Sequence, residues 1–184
     1  MKYDINWLSD KFQKKENLKF LLFWGLRAAK DGAVTQSCFS QWWPAAFETG
    51  GHRYASAEHW MMAEKASLFG DNDTHRRILE ARSAAEAKQL GREVQHFDAA
   101  TWDQHKYAIV VQGNYHKFSQ NPELAAYLLQ TGERVIVEAS PVDPVWGIGL
   151  AADDARAENP LLWKGENLLG FALMEVRDQL KENE

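Results

Sequence analysis

The chain has 184 residues, 45% of them hydrophobic, 26% charged and 12% aromatic, which is the balance of a soluble globular domain and not of a disordered, fibrous or membrane-spanning one. Its formal net charge of -5 argues against a broad phosphate-gripping surface, because non-specific nucleic-acid binding depends on lysine and arginine neutralising phosphates. The single cysteine, Cys38, excludes an internal disulfide framework, and the apolar run Phe20 to Trp24 is too short to cross a bilayer, so a cytoplasmic chain is expected.

In chain order, Ile5, Leu8 and Phe12 stand at helical spacing within an N-terminal extension of residues 1–17. Leu18 to Trp24 reads as a buried strand. Gly50-Gly51, between Phe47-Glu48-Thr49 and His52-Arg53-Tyr54, reads as a hairpin turn, since glycine accepts positive φ. Ser56 is placed to cap a helix that runs to Phe69 and stops at Gly70, with Asp71-Asn72-Asp73 as a turn. Ser83-Ala84-Ala85-Glu86 is a capping box for a helix ending at Gly91. Asp98 caps a longer helix, Ala99 to about Lys117, in which Gly113 is a weak point. Asn121-Pro122-Glu123 opens a helix that ends at Thr131-Gly132. Arg134 to Ala139 alternates as a strand does, and Pro141 to Leu150 is too rich in Pro and Gly to be regular. Leu169, Leu173, Val176 and Leu180 form the core stripe of a final helix. The fold class is therefore α+β and predominantly helical, a single domain over residues 1–184 with a small antiparallel sheet.

Three groups of residues offer chemistry. In Ser56 to Lys65, a seven-residue step brings Lys65 within about 20° of Glu58 around the helix and about 10 Å along it, so two long side chains can converge on one ligand. The alternative is that Glu58 complements the positive helix N-terminus while Lys65 is a solvated charge. In the loop from Glu138 to Leu150, Asp143 is pushed towards extended geometry by Pro144, and Gly147 and Gly149 let backbone N–H groups approach an anion. The alternative there is a glycine-rich turn that covers Trp146 as a core residue. Eight tryptophans, among them Trp42, Trp43, Trp60, Trp102 and Trp146, are mostly packing residues, with one or two available to stack on a heterocycle. No H-E-x-x-H, P-loop or G-x-S-x-G motif occurs, and Gly147 to Ala152 matches G-x-G-x-x-G/A without a surrounding βαβ unit. Cys38 reads as a small buried hydrophobe, and Arg76, Arg77, Arg82, Lys88 and Arg92 as a solvated helix surface.

The wording and order of these segments resemble the NADAR family, which has a YbiA-like fold. The resemblance runs over about Phe20 to Leu180. It rests on Cys38-Phe39-Ser40-Gln41, Tyr54 through Ala66, Leu68-Phe69-Gly70-Asp71, Ala87 through Arg92 and Phe97-Asp98 with Trp102. Lys117-Phe118, Glu138-Ala139-Ser140 with Asp143, Trp146 through Leu150, and Gly165 through Gly170 complete it. It implies an N-glycosidase that cleaves a ribose C1–N bond, in a riboflavin-pathway ribosylamine phosphate or in ADP-ribosylated guanine, free or in nucleic acid. It implies no cofactor, metal, membrane or obligatory protein partner. By matching positions Glu58, Trp102 and Asp143 inherit the family's implicated site residues, with Lys65, Trp146, Gly147 and Asn167 as neighbours in the same motifs. Glu58 and Asp143 are then read as the catalytic acids, Lys65 as a catalytic Schiff-base amine or else a phosphate clamp, and Trp102, Trp146, Gly147, Asn167 and Ser40 as substrate-binding residues. The chain departs from the family at Gln41, often asparagine, at Trp60, commonly tyrosine or phenylalanine, and at Lys106, often arginine. Gln41 and Trp60 bear on substrate size. A non-catalytic ADP-ribose or nucleotide-binding module is the alternative function, and a scaffold with a tryptophan-lined partner surface is a third.

Overall fold

The computed structural model describes residues 1–26 and 33–183, which divide into two compact units. One unit comprises Met1–Ser40 with Glu123–Glu184, the other Gln41–Pro122. Among the described residues there are seven α-helices and four short strands.

In the first unit, helix α1 (Ile5–Gln13) is capped by the Asp4 carboxylate on the Trp7 N–H and fully buries Leu8. The N-terminal residues are tied down further by Lys2 and Tyr3, which both donate to Asp178 Oδ2, at 2.6 and 2.7 Å. Strand β1 (Phe20–Phe23) pairs with β4 (Val135–Glu138) in parallel, Phe20 opposite Val135 and Phe23 opposite Glu138. Helix α6 (Pro122–Leu129) precedes β4, and α7 (Leu168–Glu182) packs on it. In β4, Val135, Ile136 and Val137 are all at most 1% exposed, as expected of a strand covered on both faces. Leu169, Leu173, Val176 and Leu180 are buried along α7. At Gly170 a Cβ would lie 2.1 Å from the Ile136 carbonyl, so only glycine lets this helix come so close to the strand. Buried Arg177 donates to Thr131 Oγ1 at 2.8 Å and to the Arg134 carbonyl at 2.9 Å.

In the second unit, β2 (Phe47–Thr49) and β3 (His52–Tyr54) form the expected hairpin, with Gly50 and Gly51 at φ of 59° and 80°. Helices α2 (Ala57–Leu68), α3 (Asn72–Leu79), α4 (Ala84–Arg92) and α5 (Ala99–Ser119) follow, and α2 packs against the other three. The caps are side chains read from the sequence: Ser56, Ser83 and Asp98 each accept the N–H of the third helical residue.

The structure departs from the sequence reading at several points. The sheet is not one antiparallel layer but two two-stranded ladders, one antiparallel and one parallel. Strands β1 and β4 are far apart in sequence, and a long crossover permits the parallel pairing that a hairpin forbids. Strand β1 is shorter than Leu18 to Trp24, and only Phe23 is fully buried in it. Asp71-Asn72-Asp73 is the start of α3, whose Thr74 N–H donates to Asp71 Oδ1 at 3.0 Å. Helix α4 runs through Gly91 to Arg92, because this glycine is a packing notch: a Cβ there would lie 2.1 Å from Met62 Sδ. Gly113, expected to weaken α5, is a second notch that holds the Trp60 ring, with Trp60 Cδ1 2.2 Å from where a Cβ would be. Just before α6, Asn121 Nδ2 donates to the Lys117 and Ala46 carbonyls, at 2.7 and 3.1 Å.

Candidate active site

Glu58 stands in the first turn of α2, two residues after the Ser56 cap, and is 2% exposed. Its backbone N–H donates to the Gln41 carbonyl at 2.9 Å. The exposed N–H groups of the first turn and the helix dipole favour a negative side chain at this place. Burying a carboxylate is costly, so this residue is not the solvated helix complement that its spacing alone permitted. Next to it, His59 is 2% exposed and donates from Nε2 to the Ala81 carbonyl at 3.1 Å, while Ser56 Oγ lies 2.8 Å from Nδ1. Burial holds its pKa below the ordinary histidine value.

Lys65 stands in the last turn of the same helix. Nζ donates to the Gly91 carbonyl at 2.8 Å and lies over two rings, 4.3 Å from the Phe97 centroid and 5.8 Å from that of Trp102. Burial pulls its pKa below the usual lysine value. The structure therefore brings Lys65 and Trp102 together. Sequence reasoning missed two partners here, the Gly91 carbonyl and Phe97. The signal for Phe97 was present: an aromatic just before the Asp98 cap, with Trp102 at the fourth helical position, is the pattern of a hydrophobic staple.

A second polar group in this unit joins Gln41 and Asn114. Asn114 Nδ2 donates to Gln41 Oε1 at 2.7 Å and to the Val110 carbonyl at 2.9 Å. Both side chains are buried, Gln41 at 8% exposure and Asn114 at 0%. Trp60 lies alongside, 4% exposed, with its indole N–H on the Ile109 carbonyl at 2.8 Å.

In the first unit the designated residues after β4 form one interlocked loop. Asp143 Oδ1 accepts from the N–H groups of both Val145 and Trp146 at 2.9 Å, an Asx-type turn that Pro144 pre-shapes. The carbonyls of Pro144, Val145, Trp146 and Gly147 then accept from Glu166, Leu168, Leu169 and Asn167 in turn. Gly147 is buried where a Cβ would lie 2.8 Å from the Glu138 carbonyl and 2.9 Å from Ser140 Cβ, so its lack of a side chain serves backbone packing. Asn167 is fully buried with φ of 55°. It does not cap α7 with its side chain. Its Oδ1 accepts from the Glu138 N–H at 2.9 Å and its Nδ2 donates to the Ile136 carbonyl at 3.0 Å. Ser40 closes the 3-10 turn Gln36–Phe39, its N–H donating to the Ser37 carbonyl. Cys38 in that turn is fully buried, as its reading as a small hydrophobe expected.

The tryptophans divide by the fate of the indole N–H. Trp60 and Trp163 donate to the carbonyls of Ile109 and Ala157 and serve packing. Trp102 and Trp146 are half-buried, and their indole N–H groups donate to no acceptor among the described residues. An open hollow of about 580 Å³ lined by Asn17, Lys19, Thr131, Glu133 and Arg134 contains none of the designated residues. Among the described residues no cluster of three metal-ligating side chains occurs, and no helix is long and apolar enough to cross a membrane.

Comparison with known proteins supplies the family. The NADAR domain model matches residues 22–181. The chain is 44% identical to the N-glycosidase R617 of Acanthamoeba polyphaga mimivirus, over 89% of this chain and 98% of that one. It is 32% identical to the riboflavin biosynthesis protein VVA0006 of Vibrio vulnificus, over 78% of this chain but only 35% of that longer protein. The NMR structure of Escherichia coli YbiA superposes with a TM-score of 0.69 at 25% identity, over 90% of this chain and 88% of that one. The YbiA-like fold and the match over most of its length together establish that this chain belongs to the NADAR domain family.

Proposed function

We propose that this N-glycosidase of the NADAR family hydrolyses the bond between ribose C1 and an amine nitrogen in a ribosylamine phosphate. The observation that carries the reading is the buried Glu58 carboxylate in the first turn of α2. Breaking a C1–N bond builds positive charge on the ribose and requires a proton on the departing nitrogen. Glu58 supplies negative charge at C1, and Asp143 is assigned by its family motif as the second acid. The half-buried rings of Trp102 and Trp146 are assigned to the departing base. Ser40, Gly147 and Asn167 belong to the same motifs, and the contacts of Gly147 and Asn167 support a role in holding the loop that carries Asp143 and Trp146.

Lys65 is assigned as a nucleophile. A strongly hydrated ammonium suits a phosphate clamp, whereas Nζ here is partly stripped of water, which favours the neutral amine. The ribose ring opens as the C1–O4′ bond breaks and the departing nitrogen gives its proton to O4′, leaving a C1=N imine. The Nζ lone pair adds to C1, both Nζ protons pass to that nitrogen as its bond to C1 breaks, and a C1–Nζ imine remains. Water then adds to the C1–Nζ imine and releases the free aldehyde and lysine.

A small metabolite is preferred to nucleic acid because the chain is acidic and because Arg76 and Arg77 are engaged with Asp73 and Glu93. The test is turnover of a ribosylamine 5′-phosphate and of ADP-ribosylated guanine by wild type, Glu58→Gln and Lys65→Arg, with borohydride reduction during turnover. Glu58→Gln is expected to lose about 100-fold or more in kcat, and borohydride is expected to fix the ribose fragment on Lys65. Unchanged turnover in Glu58→Gln removes it from the chemistry. A protein that binds ADP-ribose in calorimetry yet consumes neither N-glycoside is a reader and not an enzyme.

A further inference from the structure

Phe97 and Trp102 flank the Asp98 cap of α5 at the two positions whose side chains ordinarily pack on each other as a hydrophobic staple. Here the Lys65 ammonium reaches over from α2 and lies across both rings, while the Gly91 carbonyl accepts from it. The segment that carries Phe97 is anchored at two points. The Gln95 N–H donates to Asp71 Oδ2 at 2.9 Å, and Phe69 meets Phe97 edge-on with centroids 5.3 Å apart. His96, immediately before Phe97, has φ of 56°, in the left-handed region that non-glycine residues seldom adopt. Such backbone persists where surrounding structure holds it, often to aim a side chain. Phe97 is nevertheless 47% exposed, too open for a residue that serves the core.

We propose that Phe97 is a positioning residue for the Lys65 amine: its ring shields the nitrogen from water and, with Trp102 and the Gly91 carbonyl, holds it in one place. The consequence for catalysis rests on the role proposed for Lys65 above; the shielding itself does not. Charge does not supply the effect. On the helices packed against α2, Asp73 pairs with Arg76, Glu93 with Arg77 and Asp103 with Lys106, while Asp71 and Asp98 accept from backbone N–H groups. Arg92 and His96 carry the neighbouring positive groups, and Glu58 and Glu64 are the acids on α2 itself. Among the described residues none of these carboxylates forms an ion pair with Lys65, and burial alone lowers its pKa.

Competitive trace acetylation of the full chain across pH, read on the Lys65 peptide by mass spectrometry, gives the pH midpoint at which this amine becomes reactive. Phe97→Ala admits water and is expected to move that midpoint upward, whereas Phe97→Leu, which keeps the apolar cover but removes the ring face that favours the ammonium, is expected to leave it at or below the wild-type value. In turnover, Phe97→Ala is expected to lower kcat about three- to tenfold with KM nearly unchanged. Because Phe97 is exposed, both variants should keep the wild-type melting temperature, which checks that they fold. An unchanged midpoint in folded Phe97→Ala overturns the proposal. The labelling needs no substrate, so a shifted midpoint in a protein that cleaves no N-glycoside sustains the shielding and removes only the enzymatic reading.

Discussion

Replacing Gly113 by alanine sets two effects of opposite sign against each other. In an exposed helix interior the change stabilises by about 1 kcal/mol, because alanine costs less backbone entropy than glycine. Gly113 is buried, however, and the new Cβ would lie 2.2 Å from Trp60 Cδ1 and 2.7 Å from Trp60 Nε1. The indole cannot retreat easily: it is packed against Phe47, Tyr54 and His116, and its N–H is bonded to the Ile109 carbonyl at 2.8 Å. Overpacking costs about 1–3 kcal/mol, and leaving that buried N–H without its acceptor costs about 1–3 kcal/mol more. The net expectation is a loss of about 1–5 kcal/mol, or a fall in Tm of about 2–20 °C for a chain of this size. Thermal and urea unfolding followed by tryptophan fluorescence measures it, and Gly113→Ala combined with Trp60→Phe should recover part of the loss through non-additivity. A Gly113→Ala protein as stable as wild type, or more stable, would refute the notch.

Two further outcomes follow from the same geometry. Asn167→Gly keeps the left-handed backbone but removes the bonds to the Glu138 N–H and the Ile136 carbonyl, and should cost about 2–5 kcal/mol in urea unfolding. A loss below about 1 kcal/mol would mean that the amide does not hold β4 to the start of α7. The imidazoles of His59, His75 and His116 are all held below the ordinary value of 6.5, mainly by burial, with His52 adding to the effect at His75. Their neutral forms are favoured in the folded chain, so the stability they contribute is complete above about pH 6.5 and is lost as pH falls below it towards the lowered folded-state values. The urea midpoint should be lower at pH 5.5 than at pH 7.5, and His75→Gln should flatten the difference. A midpoint that is unchanged or higher at pH 5.5 would show that these rings charge freely in the native state.

Much of the candidate site was legible because it sits at helix starts. The Ser56 cap placed Glu58 in the first turn of α2, and the Asp98 cap placed Trp102 at the fourth position of α5. The assignment of Asp143, Trp146 and Asn167 came from family wording, since no periodicity marks residues in an irregular loop. Burial was not legible. Glu58 could have been a solvated complement of the helix dipole by spacing alone, and only its surroundings made it an enclosed carboxylate.

What the sequence determined by itself is whatever depends on a few neighbouring residues. Ser83 and Asp98 bond the N–H three positions on, Gly50-Gly51 turn the hairpin, and the apolar stripe of α7 repeats with the helix period. Tertiary structure decided what depends on partners far along the chain. The parallel pairing of Phe20 with Val135, the notches at Gly91 and Gly113, the Asn167 amide on β4, and the turn of Lys65 towards Gly91 and Phe97 are of this kind. A cap or turn is selected by local hydrogen bonds and allowed φ, whereas a close approach or a desolvated amine exists only once distant segments have excluded water from between them.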